Sequence, residues 1–245
     1  MKSHLLTVIS LLSASLSLGS TESRAEVYLD ANFDGEELDQ PVPRRGAEFG
    51  EPYFVAGGAG GLIRATPMSS PALEIQDSTT DQIGSAFFDF LGDAYVTSDT
   101  LVITARLWFA EKPGASVHSI RIWDDNWGVN IVTLEFLDSG SVTLSDLDGE
   151  VGEVGQYETG RLYPVAFSFN FTTKTYDLWL DGQLARDNEP SGITNRGIST
   201  IIFSTGLDED LLGRYYIDNL RVTNSPAAVP AGTRSWGEVR GLFRR

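Results

Sequence analysis

The sequence predicts an all-β protein, two antiparallel sheets packed face to face. Period-two alternation recurs along the chain, Asp-Gly and similar turn formers punctuate it, and no segment shows a capped 3.6-residue apolar stripe. Many short strands at near-regular spacing imply a double-layered or closed antiparallel sheet. A sheet this wide must bury one face against another.

The chain opens with a segment excluded from the fold. Lys2 gives a short basic start, Leu5 to Leu18 is apolar and small, and Ser23-Arg24-Ala25 places small residues where a signal peptidase reads. Residues 1–25 are therefore expected to be a secretory signal peptide, its apolar run too short for a bilayer span of about 20 residues. The body, residues 26–224, is expected to be one sandwich domain. Gln40 to Ser70 is Gly- and Pro-rich, with Gly57-Gly58-Ala59-Gly60-Gly61 at its centre, and reads as a long loop.

The first clear strand is Leu101 to Phe109. Leu101, Ile103, Ala105, Leu107 and Phe109 face one way, with Val102, Thr104, Arg106 and Trp108 opposite. Ser119–Trp123, Val129–Phe136, Ser141–Leu144, Tyr163–Phe171, Thr175–Leu180, Ile198–Ser204 and Arg214–Val222 read alike. Turns are expected at Lys112-Pro113-Gly114, Asp124-Asp125-Asn126, Asp138-Ser139-Gly140, Asp148-Gly149 and Asp181-Gly182. Beyond Val222, Ser225 to Gly232 has linker composition. Residues 225–245 carry four Arg and one Glu, opposite in sign to the body. This tail reads as a disordered terminus or as an address signal, since its Ser235-Trp236-Gly237 start and basic, aromatic end resemble C-terminal segments of some exported bacterial proteins.

Composition narrows function. The chain has no cysteine, so an exported form must be held by its core without disulfides. Lys and Arg number 18 against 34 Asp and Glu, a net charge of −16. Nucleic acid is excluded as a partner, because phosphate binding needs a positive footprint. Past the signal segment His118 is the one histidine, and it sits in the alternating run Val117 to Ile122. That rules out His-rich zinc sites and marks His118 as a structural strand residue.

Three segments resemble a known family. Thr175-Tyr176-Asp177-Leu178-Trp179-Leu180-Asp181-Gly182-Gln183-Leu184 resembles the Asp-Gly hairpin of concanavalin A-like and laminin-G-like domains. Tyr215 to Val222 resembles the closing strand of such jelly rolls. Leu29-Asp30-Ala31-Asn32-Phe33-Asp34-Gly35 resembles the opening strand that lies beside it. The resemblance implies a jelly-roll sandwich of a secreted, bacterial type. The superfamily holds lectins, glycan-binding modules, adhesion domains, hydrolases and lyases, so fold leaves function open. The Glu-x-Asp-x-x-Glu strand of retaining endoglucanase-type members is absent, and Glu135 has no carboxylate two or four residues away.

The same resemblance implies a calcium site at the junction of the first and last strands. Asp30, Asp34 and Asp218 would supply it, with Asn32 or Asn219 nearby; the alternative is that Asp34-Gly35 is a turn and Asp218 bonds backbone amides. Asp146-Leu147-Asp148-Gly149-Glu150 lacks the distal glutamate of a calcium loop and reads as a hairpin turn. For ligand binding, the segment Trp123-Asp124-Asp125-Asn126-Trp127 sets two indoles around three oxygen-bearing side chains. Sugars are held by aromatic faces plus a few polar groups. The same five residues also suit a hairpin with a cross-strand tryptophan pair. Trp108 and Trp179 lie in regular strands and read as core or sheet-face residues. The expected function is a non-catalytic extracellular sandwich binding a glycan, a neutral one given the acidic loop, or another surface component. The alternatives are a carboxylate-based hydrolase or lyase and a structural envelope domain.

Overall fold

The computed structural model describes residues 27–34, 36–40, 52–56, 62–66, 68, 70–76, 84–89, 100–113, 117–124, 129–147, 149–192, 197–205 and 213–224. The expected signal segment, residues 1–25, the 225–245 tail and the Gly57 to Gly61 run lie outside them. Every regular element among the described residues is a strand. In chain order they are β1 (Val27–Ala31), β2 (Pro52–Ala56), β3 (Leu62–Ala65), β4 (Pro71–Gln76), β5 (Gly84–Asp89), β6 (Thr100–Phe109), β7 (Val117–Trp123) and β8 (Asn130–Leu137). There follow β9 (Ser141–Asp146), β10 (Gly149–Gln156), β11 (Leu162–Asn170), β12 (Thr175–Leu180), β13 (Gln183–Pro190), β14 (Thr200–Thr205) and β15 (Arg214–Thr223).

Two antiparallel sheets form a jelly-roll-like sandwich. One has eight strands in the order β13-β12-β11-β6-β15-β4-β3, with β1 also pairing β15; the other has seven, β10-β9-β8-β7-β14-β5-β2. The opening strand does lie beside the closing one, Asp30 opposite Arg221 and Ala31 opposite Leu220. The expected long loop between Gln40 and Ser70 is corrected: β2 and β3 lie within it. Both are edge strands, where Pro and weak alternation are tolerated because one side of the ladder needs no partner.

The core follows from alternation. Leu101, Ile103, Ala105, Leu107 and Phe109 all point inward, as their period predicts, and meet Ile120, Ile122, Val132, Leu134, Phe136, Ile201 and Phe203 from the facing sheet. Trp108 lies on the outer face, where with Ala110 and Leu162 it packs against Met68, Ala72 and Tyr216. Turn chemistry holds the hairpins. Asp181 and Gly182 both adopt positive φ, 51° and 75°, the conformation of a two-residue hairpin whose twist matches its strands. Asp146 of β9 pairs Gly149 of β10, so the described part of the acidic stretch belongs to the β9–β10 hairpin; Asp148 lies outside the described residues.

Candidate functional site

Alternation that buries one face of β7 and β8 turns the other outward. On β7 the outward residues are Ser119, Arg121 and Trp123; on β8 they include Thr133 and Glu135. The register sets Arg121 opposite Thr133 and Ser119 opposite Glu135. Thr143 of β9 stands on the other side of Glu135, and Glu153 of β10 beyond Thr143. Across the other flank, Arg121 faces Ile202 and Trp123 faces Thr200, followed by Phe87 and Asp89 on β5. The outer face of the seven-stranded sheet therefore carries the buried hydroxyls of Ser119, Thr133 and Thr200 and the apolar Ile202 and Phe87, with charged groups set among them and an indole at one end.

The charges on the two outer faces behave differently. On the eight-stranded sheet they pair. Glu74 is 2% exposed and accepts from Tyr216 Oη at 2.7 Å and Arg64 Nε at 3.2 Å, with Arg214 at 3.9 Å. Burial, then this bond to Glu74, pushes the Tyr216 phenol up to about 12. Arg214 also binds Glu111 at 2.6 Å, and Arg64 binds Asp39. On the seven-stranded sheet, Arg121 and Glu135 are diagonal neighbours, about 7–8 Å apart at the backbone, and both are half-buried. Neither forms an ion pair within 4.0 Å, with the other or with any described residue. Asp89 is committed: Thr200 Oγ1 donates to it at 2.7 Å.

The Trp123 loop is built from its base. Trp123 ends β7, half-buried and opposite Asn130. Asp124 N donates to Val129 O at 3.0 Å, and Val129 N donates back to Asp124 Oδ1 at 2.8 Å. Asp124 is 2% exposed, so its carboxylate closes the loop rather than facing a ligand. Asp125, Asn126 and Trp127 lie outside the described residues. Strand alternation alone could have pointed to Arg121 and Glu135, but their juxtaposition needs the β7–β8 register.

The three aspartates expected to share calcium are placed differently. Asp30 is exposed and reaches Arg221 Nε at 3.8 Å. Asp34 is exposed. Asp218 is fully buried at a bulge of β15, where Asn219 takes φ 51°. Its carboxylate accepts from Ser70 Oγ at 2.8 Å, Asn219 N at 2.7 Å and Asn219 Nδ2 at 3.0 Å, with Arg106 at 3.5 Å. Burial pushes its carboxyl pKa up; Ser70, Arg106 and the Asn219 amide oppose this, and Asp34 adds to it. No group of three His, Cys, Asp or Glu able to hold a metal occurs among the described residues. A calcium ion needs six to eight oxygens, and those of Asp218 are already taken by protein donors. The described residues do not fit that ion. Asp218→Ala strands Ser70, Arg106 and the Asn219 amide, and is expected to cost about 2 kcal/mol. Melting with and without a chelator checks this: the loss should be equal in both.

No protein-family model matches the sequence, and a search of curated proteins finds no match. Solved structures do resemble it. The catalytic domain of the glycoside hydrolase family 131 protein from Coprinopsis cinerea aligns with TM-score 0.56 at 12% identity, over 82% of this chain and 95% of that one. A Trypanosoma rangeli sialidase in complex with 2,3-difluoro-KDN aligns with TM-score 0.53 at 14% identity over 83% of this chain. The chain spans 31% of that sialidase's length. A carbohydrate esterase from the Shiga toxin-encoding bacteriophage phi24B aligns with TM-score 0.55 at 12% identity, over 81% and 98% of the two chains. At these identities the likeness establishes the β-sandwich, jelly-roll fold. No helix among the described residues is long and apolar enough to cross a membrane.

Proposed function

We propose that this chain is a secreted, non-catalytic glycan-binding sandwich whose site is the outer face of the seven-stranded sheet beside Trp123. One observation carries the reading. Arg121 and Glu135 sit half-buried and diagonal to each other without pairing, while charges on the opposite sheet are tied up in ion pairs. Uncommitted donors and acceptors among hydroxyls, with an indole at the edge, suit a polar ligand that has apolar ring faces. The structural neighbours include a sialidase, a glycoside hydrolase catalytic domain and a carbohydrate esterase, which agrees with the reading. Few polar groups holding a small ligand give modest affinity, on the order of micromolar to millimolar. The test is retention of the secreted chain on a glycan panel. Arg121→Ala and Glu135→Ala should each abolish retention and leave stability within about 0.5 kcal/mol, as surface changes do. Retention that survives both substitutions would move the site elsewhere.

A second reading, a hydrolase, has one specific support. Glu135 and Glu153 flank Thr143 on the same face, two strand spacings or about 10 Å apart at the backbone. Inverting glycosidases hold their carboxyls about 6.5–9.5 Å apart. Asp89 is no partner for Glu135, since three strands and four residues separate them by about 20 Å. Release of reducing ends from a retained polysaccharide, abolished in Glu135→Gln, would establish this second reading.

A further inference from the structure

Resting on the glycan-binding reading, we infer that the site selects neutral saccharides carrying a free vicinal diol, with Glu135 as the residue that reads it. The argument starts from what an unpaired carboxylate requires. Glu135 is an acceptor with two oxygens, so its ligand must bring donors. Metal ions are disfavoured there by the Arg121 guanidinium diagonally across β7 and β8. Acidic sugars are drawn to Arg121 but meet Glu135 and Glu153 on the same face, in a chain of net charge −16. A neutral sugar satisfies both groups. Two adjacent hydroxyls donate to the two carboxylate oxygens, and a third sugar oxygen accepts from Arg121. Thr143, half-buried beside Glu135 in the register, can donate or accept and so tolerates a remaining hydroxyl, whereas Ser119 and Thr133 are buried and already bonded to Ser204 and Asn130. A lone hydroxyl leaves one Glu135 oxygen unmatched, which is how the site discriminates.

Four soluble polymers read this out against the secreted chain. A 1,4-linked β-glucan keeps the O2/O3 diol in every internal unit. The same polymer after periodate oxidation and borohydride reduction has lost it, because the bond between those two carbons is cleaved. A 1,3-linked β-glucan lacks an internal vicinal pair. Polygalacturonate keeps the diol but is anionic. The 1,4-glucan should bind. The oxidised polymer and the 1,3-glucan should bind at least tenfold more weakly, and polygalacturonate not measurably. Glu135→Gln should weaken binding to the 1,4-glucan about tenfold while the melting temperature holds. Equal binding of the 1,3- and 1,4-glucans, strong binding of polygalacturonate, or an unaffected Glu135→Gln would each overturn the diol inference and leave the glycan reading standing. Failure of all four polymers to bind overturns the diol inference; if the wider glycan panel is also blank, the glycan reading falls with it.

Discussion

Replacing Phe109 with alanine is expected to cost the fold about 4 kcal/mol, the middle of the range for a buried aromatic. Phe109 is the last residue of β6 and is completely buried. Its ring lies 4.6 Å from the rings of Phe136 and Tyr157, 5.6 Å from His118, 5.7 Å from Tyr215 and 5.9 Å from Tyr163. Tyr163 and Tyr215 belong to its own sheet, Phe136 and His118 to the other, so one side chain ties both layers at this end of the sandwich. Several neighbours are themselves large and mutually packed, Tyr157 edge-on to Phe136 at 5.4 Å. They cannot close into the space left without giving up those contacts. Without disulfides to hold the sheets together, the loss falls wholly on the equilibrium between folded and unfolded chain. Urea denaturation of Phe109→Ala, with the slope unchanged from wild type, checks the value. A loss under about 1.5 kcal/mol would mean that the aromatic cluster relaxes around the gap.

How much of this was legible in the sequence depended on what each residue touches. The strand Leu101 to Phe109 declared itself because one of its faces is core and alternation records that. The pairing of the first and last strands followed from resemblance, and the ladder from Leu29 opposite Val222 to Ala31 opposite Leu220 bears it out. Strands β4 and β5 left no period-two mark, because Ala72 to Ile75 and all of Gly84 to Asp89 are buried on both sides. Strand β13 left none for the opposite reason. It is a largely exposed edge, with Asn188 at φ 52° and register shifts against β12. For the site, Trp123 stood out as a residue type, and Asp124 stood out with it. Nothing local says that Asp124 turns back onto Val129 N. Glu135 was visible as a carboxylate lacking a partner along its own strand. Its real neighbours, Ser119, Thr143 and Glu153, come from three other strands, and only the register brings them together.

Acidification should remove about 3 kcal/mol of stability through His118 alone. The alternating run around His118 marks it as a structural residue, and the geometry agrees. The ring is fully buried, stacked on Phe109 and 4.8 Å from the Tyr215 ring. Nε2 donates to Glu111 O at 3.0 Å, and Nδ1 accepts from Thr205 Oγ1 at 2.7 Å, which is the neutral tautomer with both nitrogens satisfied. A Cβ at Gly213 would come within 2.7 Å of the ring carbon Cε1, so that flank is closed by backbone. The other titratable group against the ring is Tyr215, whose pKa burial raises well above its usual value, leaving the phenol neutral. Burial pushes the imidazole down from 6.5 to about 4, and the bond to the Glu111 carbonyl only partly opposes it. The unfolded chain therefore takes up a proton near pH 6.5 while the folded chain does not until about pH 4. Stability from this residue is complete above pH 6.5, declines as pH falls between those values and is gone below pH 4. About 2.5 pKa units correspond to about 3 kcal/mol. Carboxylates also titrate in that interval, so the wild type is compared with His118→Gln, which keeps a donor and an acceptor but takes no proton. Urea denaturation at pH 7 and pH 4 should show the stability gap between the two narrowing by about 3 kcal/mol at the lower pH. A gap that stays the same at both pH values would mean that the folded ring takes up its proton near pH 6.5 as the unfolded chain does, with Thr205 accepting from the charged ring.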